Sequence, residues 1–458
     1  MTSSRTAGVL CLAAIFGLGT LAACSSSDES GDQASTGGPI AIQVAIDVGL
    51  DQDAIAAFDD RIGQFEKANP DITVEHLEYT WDATTFTAGL AGGTLPDVFT
   101  VPFTDGRGLI ANQQIADISD LVAQLPYADA YNPNVAQAGE DADGNIWAVP
   151  IAAYSQGLHY NRALFTAAGL DPDDPPTSWA QIRTDAKKIA DVTGQAGYAT
   201  MTQSNTGGWI LTTLVNAMGG QVETFDGDKA TATIDTPQMR QAIDTLQKMR
   251  WTDDSMGSNF LYDWAGINQA FASGQIGMYV SGGGNYGNLF TQNALDPATY
   301  GLTVLPLEGK GAGVLGGGTL ATVNAKASPA EQAAAVKWID FYYMQKLFDQ
   351  DAAVLDAQTT AAAGQPVGAP QLPVFDKATY DEQQSWIADY VNVPLDQMTG
   401  YTDHVFDQPL LAEPARSTQD VYALLDPVVQ SILSEQDADV DQLLATAQTQ
   451  AQKLLDQG

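Results

Sequence analysis

The sequence predicts an α/β protein of two lobes, and three observations predict it. The ordered part opens with strand, helix and strand in direct succession. Short apolar strands and capped helices keep alternating to beyond residue 330, with no internal repeat. Pro- and Gly-rich crossings near Pro150, Pro306 to Gly318 and Gly364 to Pro370 interrupt that alternation where a chain could pass between two bodies.

The elements follow in order. Ile40, Ile42, Val44 and Ile46 alternate as a half-buried strand does. Ile55, Phe58, Ile62 and Phe65 recur at steps of three and four, one face of a helix that ends near Asn69-Pro70. Ile72-Thr-Val-Glu completes a βαβ unit. Pro96 to Val101 reads as a short buried strand after Gly92-Gly93, and Asp141 to Gly144 as a turn into Ile146 to Pro150. Ser178 with Gln181 forms a capping box before Trp179, Ile182, Ala186 and Ile189, and Gly194 fits the C-cap. Ser328-Pro329-Ala330-Glu331 is a second N-terminal signature, with proline at the first helical position.

Ahead of these elements stands an export signal. Arg5 precedes the apolar stretch Val9 to Leu18, which is too short to span a bilayer, and Leu21-Ala-Ala-Cys24 follows. Small residues leading into a cysteine resemble the bacterial lipobox. The expectation is cleavage before Cys24, lipidation of its thiol, and a Ser/Gly/Asp-rich tether to residue 38. Cys11 and Cys24 are the two cysteines, so the mature chain would contain no internal disulfide and must be stable through its core.

The formal charge is −37, from 19 basic and 56 acidic residues. Such a field repels nucleic acid and anionic lipid headgroups. Signatures of catalysis are scarce. The three histidines, His76, His159 and His404, are far apart, and no metal-ligand spacing or GxSxG occurs. Gly282 to Gly287 formally fits GxGxxG, but Glu308, the acid at a suitable distance, lies in a Gly-rich loop rather than at a strand end. No cofactor or metal is expected.

Aromatics beside polar residues are the positive signal. Trp81 precedes Asp82, Trp209 follows Gln203 to Gly208, Trp264 follows Tyr262-Asp263, and Tyr286 lies in the glycine loop. A flat ring packs on the C–H face of a sugar while amides and carboxylates take its hydroxyls. Trp147, Trp179, Trp251 and Trp338 occupy periodic or strand-like settings and read as core.

Several segments, in order, resemble the extracellular solute-binding proteins of carbohydrate ABC importers, the maltose-binding-like group called solute-binding protein family 1. They are Phe65 to Val74, Gly93 to Val98, Asp143 to Pro150, Leu158 to Phe165, Ala168 to Leu170, Pro176 to Trp179, Phe271 to Met278 and Gly316 to Gly318. The resemblance implies a type II-like periplasmic-binding-protein fold with the ligand between hinged lobes. Lobe one would be 39–150 plus about 316–368, and lobe two 151–315 plus about 369–458. The implied function is capture of a sugar or oligosaccharide outside the cell, by a monomer anchored through Cys24, for delivery to a membrane permease. A non-sugar solute, or a secreted glycoside-active enzyme, are the other readings. Ligand contacts carried over by position are Asp47, Trp81, Asp97, Tyr154, Trp209, Asn285, Tyr286, Gly317 and Arg416, to which the aromatic pattern adds Trp264.

Overall fold

The computed structural model describes residues 39–457 apart from Asp51, Asp82, Gly227 and Asp228. The leader, Cys24 and the tether lie outside the described residues.

The opening βαβ unit forms as its pattern dictates. Strand β1 (Ile40–Ile46) and β2 (Ile72–Glu78) pair in parallel around helix α1 (Gln52–Ala68). Phe58, Ile62 and Phe65 of α1 are buried, and Phe65 meets Trp338 edge-on at 5.3 Å between ring centroids. Helix α2 (Ala83–Gly92) leads to β3 (Val98–Pro102), which joins β1 in parallel, and α3 (Phe103–Ala111) leaves directly from its end. The C-terminal ends of β1, β2 and β3 therefore share one edge of lobe one, the expected edge for a ligand in an open α/β sheet.

Two long strands carry the chain between lobes. Strand β4 runs from Ala148 to Asn161, far beyond the five residues that its apolar run marks in sequence. Most of it is buried, so its pattern is continuous rather than alternating. Its first half pairs antiparallel with β9 (Val314–Val323), from Ala148↔Thr322 to Ser155↔Gly316. Its second half pairs with β7 (Met278–Gly282) and β8 (Tyr300–Val304) in lobe two. The hairpin β5 (Glu223–Asp226) and β6 (Lys229–Ala232) stands apart, and β10 (Leu410–Ala412) pairs with the lobe-two end of β9. The larger sheet runs β2-β1-β3-β9-β4-β7.

Beyond residue 369 the chain still contacts the segment around residues 127–132. The Val374 carbonyl accepts from Asn132 N at 2.9 Å, and Asp376 N donates to Ala130 O at 2.8 Å. Val374 and Phe375 are buried in the lobe-one core beside Tyr127. The chain has reached lobe two by Tyr401, whose hydroxyl meets Ser155 Oγ at 2.8 Å, with the neighbouring Gly400 carbonyl accepting from Thr303.

Ser328 and Glu331 form a reciprocal capping box, and Gly194 closes the helix Trp179–Thr193 at φ +71°. The box expected at Ser178 is only half formed: Ser178 accepts from Gln181 N, while the Gln181 side chain accepts from Thr177 N at 3.1 Å. Asp141 Oδ2 accepts from the Asn145 side-chain amide and the Trp147 indole, and Oδ1 from Asn145 N and Asp143 N, so these donors hold its carboxyl down to about 2.

Candidate functional site

A glycine, Gly208, sets the position of the first ring of the site. The helix Thr206–Ala217 lies against the helix Thr418–Ser434 so closely that a Cβ on Gly208 would come within 2.2 Å of the Tyr422 carbonyl oxygen. Asp426 then reaches the open end of the first helix. Its carboxylate oxygens accept from Gly208 N at 2.9 Å and Asn205 N at 2.7 Å, satisfying donors that a helix N-terminus leaves free. The two contacts fix where Trp209 emerges.

Trp209 meets Tyr154 of β4 edge to face at 6.4 Å. The Tyr154 hydroxyl donates to Glu413 Oε2 at 3.2 Å, while Tyr422 donates to Oε1 of the same carboxylate at 3.0 Å. Gly317 forms the floor. A Cβ there would stand 3.0 Å from the Tyr154 hydroxyl and 3.2 Å from Glu413, so a side chain would crowd both. From lobe one comes Trp81, which packs on Phe86 at 4.8 Å near Asp105 in the first turn of α3, whose carboxylate accepts from Thr104 at 3.3 Å. Asp105 lies near enough to raise the cost of ionising Glu413. Burial is the larger cause in both cases and holds each carboxyl above its ordinary value.

The site thus sets three aromatic rings, Trp81, Tyr154 and Trp209, around two partly desolvated carboxylates, with the buried Tyr422 holding Glu413 from behind. The carboxylates accept hydrogen bonds, and the rings offer flat apolar faces with polar edges. That is equipment for a ligand with hydroxyls on its rim and C–H bonds on its faces.

Of the residues expected from sequence, Trp81, Tyr154, Trp209 and Gly317 converge here. Asp47 lies at the C-terminal end of β1, where its Oδ1 accepts from Thr80 at 3.4 Å, one residue before Trp81. Arg416 is at the rim: its backbone N donates to Glu223, and its guanidinium sits 5.9 Å over Phe225. Four others are placed elsewhere. Asp97 stands at the opposite, N-terminal end of β3, where its carboxylate accepts from Gln43 N at 2.8 Å and ties β3 to β1. Tyr286 is 1% exposed and packs on Tyr300 within lobe two. Asn285 spends its side-chain N–H groups on Asn268 and Tyr279 inside the same lobe. Trp264 begins an exposed helical turn, capped by Asp263. Gly283 is explained by Tyr401, whose hydroxyl would lie 2.3 Å from an added Cβ, so a packing need produces the glycine run.

Residues 50–345 match the family described as bacterial extracellular solute-binding protein. The chain belongs to this family. Among relatives, YcjN of Escherichia coli K12, named as a periplasmic-binding protein assigned to an ABC transporter, is 27% identical over 307 residues, covering 64% of this chain and 66% of YcjN. The sn-glycerol-3-phosphate-binding periplasmic protein UgpB of Salmonella paratyphi A is 24% identical over 299 residues, covering 61% of this chain and 65% of UgpB. The chain thus spans just under two thirds of these curated relatives' length. Solved solute-binding proteins share the fold. The cyclic α-maltosyl-1,6-maltose binding protein of Arthrobacter globiformis aligns with a TM-score of 0.67 at 23% identity, covering 92% of this chain and 100% of that one. MalE of Xanthomonas citri aligns at 0.69 and 16%, covering 91% and 98%. UgpB of Mycobacterium tuberculosis, solved with glycerophosphocholine, aligns at 0.65 and 20%, covering 92% and 99%.

For this solute-binding protein, position along the strands explains which residues the sequence alone missed. Asp105 is at the C-terminal end of β3, whereas the Pro-Asp-Val signature marks the other end. Glu413 and Tyr422 carry no local signal, since Glu413 lies 259 residues from the Tyr154 that it binds.

Proposed function

We propose that this chain is the substrate-binding component of an ABC importer and that it captures a neutral sugar or oligosaccharide by binding, without turnover. The carboxylate pair Asp105 and Glu413 set among the rings of Trp81, Tyr154 and Trp209 supports this reading most directly. The relatives' names admit two ligand chemistries, sugars and glycerol phosphates. A phosphate bearing nearly two negative charges would meet two carboxylates here. The hydroxyls of a neutral sugar would donate to them instead, which favours the sugar.

Binding would select a closed arrangement of the lobes, with β4 and β9 flexing between them. The closed form would be what the permease reads. The protein would act as a monomer, held at the outer face of the membrane through acyl chains on Cys24. No helix among the described residues is long and apolar enough to cross a membrane. The test is a melting-shift screen of the purified protein with mono- and oligosaccharides alongside sn-glycerol 3-phosphate. A shift with a sugar and none with the phosphate is expected. A shift with the phosphate alone would reverse the assignment.

A further inference from the structure

Four of the large apolar side chains that stand exposed among the described residues gather at one opening of the molecule. On lobe one they are Val48 and Leu50, 61% and 40% exposed, just past the end of β1. Val48 N donates to the Thr80 hydroxyl at 3.1 Å, which ties this turn to the residue before Trp81. On lobe two they are Leu261 and Trp264, 53% and 38% exposed. Hydrogen bonds stitch their segment to the turn that leads into the Trp209 helix. Thr202 N donates to Tyr262 O at 2.8 Å, the Thr202 hydroxyl to Phe260 O at 2.7 Å, and Gln203 Nε2 to Leu261 O at 3.2 Å. One apolar pair therefore flanks each of the two tryptophans that the lobes bring to the site.

Single exposed apolar residues are ordinary on a protein surface, whereas pairs of them on the two edges of one cleft are not. We propose that they form a latch: Val48 and Leu50 meet Leu261 and Trp264 when the lobes close, and their burial helps to hold the cleft shut. The occupant of each lip is thus the opposite lip of the same chain. Both lips belong to bodies joined by β4 and β9, so a hinge movement about those strands changes the distance between them. The inference goes beyond the capture reading and does not depend on which solute is captured.

Electrostatics oppose such a closure. Asp47 precedes Val48, Asp263 precedes Trp264, and the chain as a whole carries a formal charge of −37. Like charges on the two lips repel, but salt at physiological strength screens that repulsion beyond about 8 Å. Apolar burial is not screened and acts only on contact. The latch therefore adds nothing while the cleft stands open for entry, and acts once the lobes have nearly met. Uncharged side chains suit that role, and the Trp264 ring offers the largest area of the four.

Crosslinking tests the latch without any ligand. In the full chain with its two cysteines, Cys11 and Cys24, changed to serine, Val48→Cys or Leu50→Cys is combined with Leu261→Cys or Trp264→Cys. The control is Val48→Cys with Val192→Cys. Val192 is exposed near the end of the helix Trp179–Thr193, away from the cleft, since Ala196 just beyond it pairs with Ile276 ahead of β7. Under copper–phenanthroline oxidation at least one lip pair should form its disulfide about tenfold faster than the control. In the fastest pair, serine at one of the two remaining apolar positions should slow the reaction roughly fivefold, the scale of losing one partly buried side chain. All four positions are exposed, so folding should be undisturbed, and thermal melts check it. No lip pair faster than the control would overturn the latch. A fast pair that serine leaves unchanged would also overturn it, because lips that meet without holding are not a latch. A sugar titration that fails would bear on the proposed capture alone, since no solute enters this measurement.

Discussion

The Tyr154 hydroxyl donates to Glu413 Oε2 at 3.2 Å, linking a strand that crosses between the lobes to the segment that follows β10. Tyr422 holds the other oxygen of the same carboxylate. Glu413 is thereby fixed before any ligand arrives, and a preorganised acceptor loses little freedom on binding.

Glu413→Gln is expected to weaken sugar binding by about 1.5–3 kcal/mol, the scale of hydrogen bonds to a charged group. Folding of the ligand-free protein should not suffer, because the change removes a desolvated charge. Calorimetry and a thermal melt together check this; a large loss of melting temperature with intact affinity would give Glu413 a purely structural role.

Trp209→Ala should lower affinity at least about tenfold through loss of a stacking face. Its thermal melt without ligand should change little, since the ring is only partly buried. Strong destabilisation of the apo protein would instead assign the ring to the core.

Acid should loosen binding. Burial raises the Asp105 and Glu413 values, so in the ligand-free protein their protonated forms are favoured by folding. Their stabilising contribution is present at low pH and lost as pH rises through the raised values. Binding has the opposite sign, because the ionised carboxylates accept the ligand's hydroxyls. Affinity measured from about pH 8 down to about pH 4 should fall above the ordinary carboxylate range. An Asp105→Asn, Glu413→Gln double variant should lose that dependence, and an unchanged acid limb in it would refute the assignment.

Gly208→Ala should destabilise the protein by about 1–3 kcal/mol or more, because the new methyl meets Tyr422 backbone that cannot rotate away. Denaturant unfolding measures it. A neutral result would show that the two helices separate easily.

Tyr286→Phe should leave sugar affinity unaltered, as the ring packs within lobe two. Weakened binding in titrations would return Tyr286 to the ligand site.

The sequence by itself determined the α/β class, the opening βαβ unit and the helix caps. Each depends on neighbours within a few residues: the spacing of Ile55, Phe58, Ile62 and Phe65, or Ser328 facing Glu331. It also marked Trp81 and Trp209, whose polar surroundings are visible locally, while Tyr154 came only through the family resemblance. Only the tertiary structure decided which acids meet those rings. Asp97 and Asp105 both flank β3, and the strand's direction alone separates the structural carboxylate from the one in the site. Likewise, Tyr286 reads as exposed in its glycine-rich setting but is enclosed by Tyr300, and Glu413 reaches Tyr154 across 259 residues. Local pattern records secondary structure because backbone hydrogen bonds and caps are short-range, whereas a cleft between lobes is assembled from side chains that only the folded topology brings together.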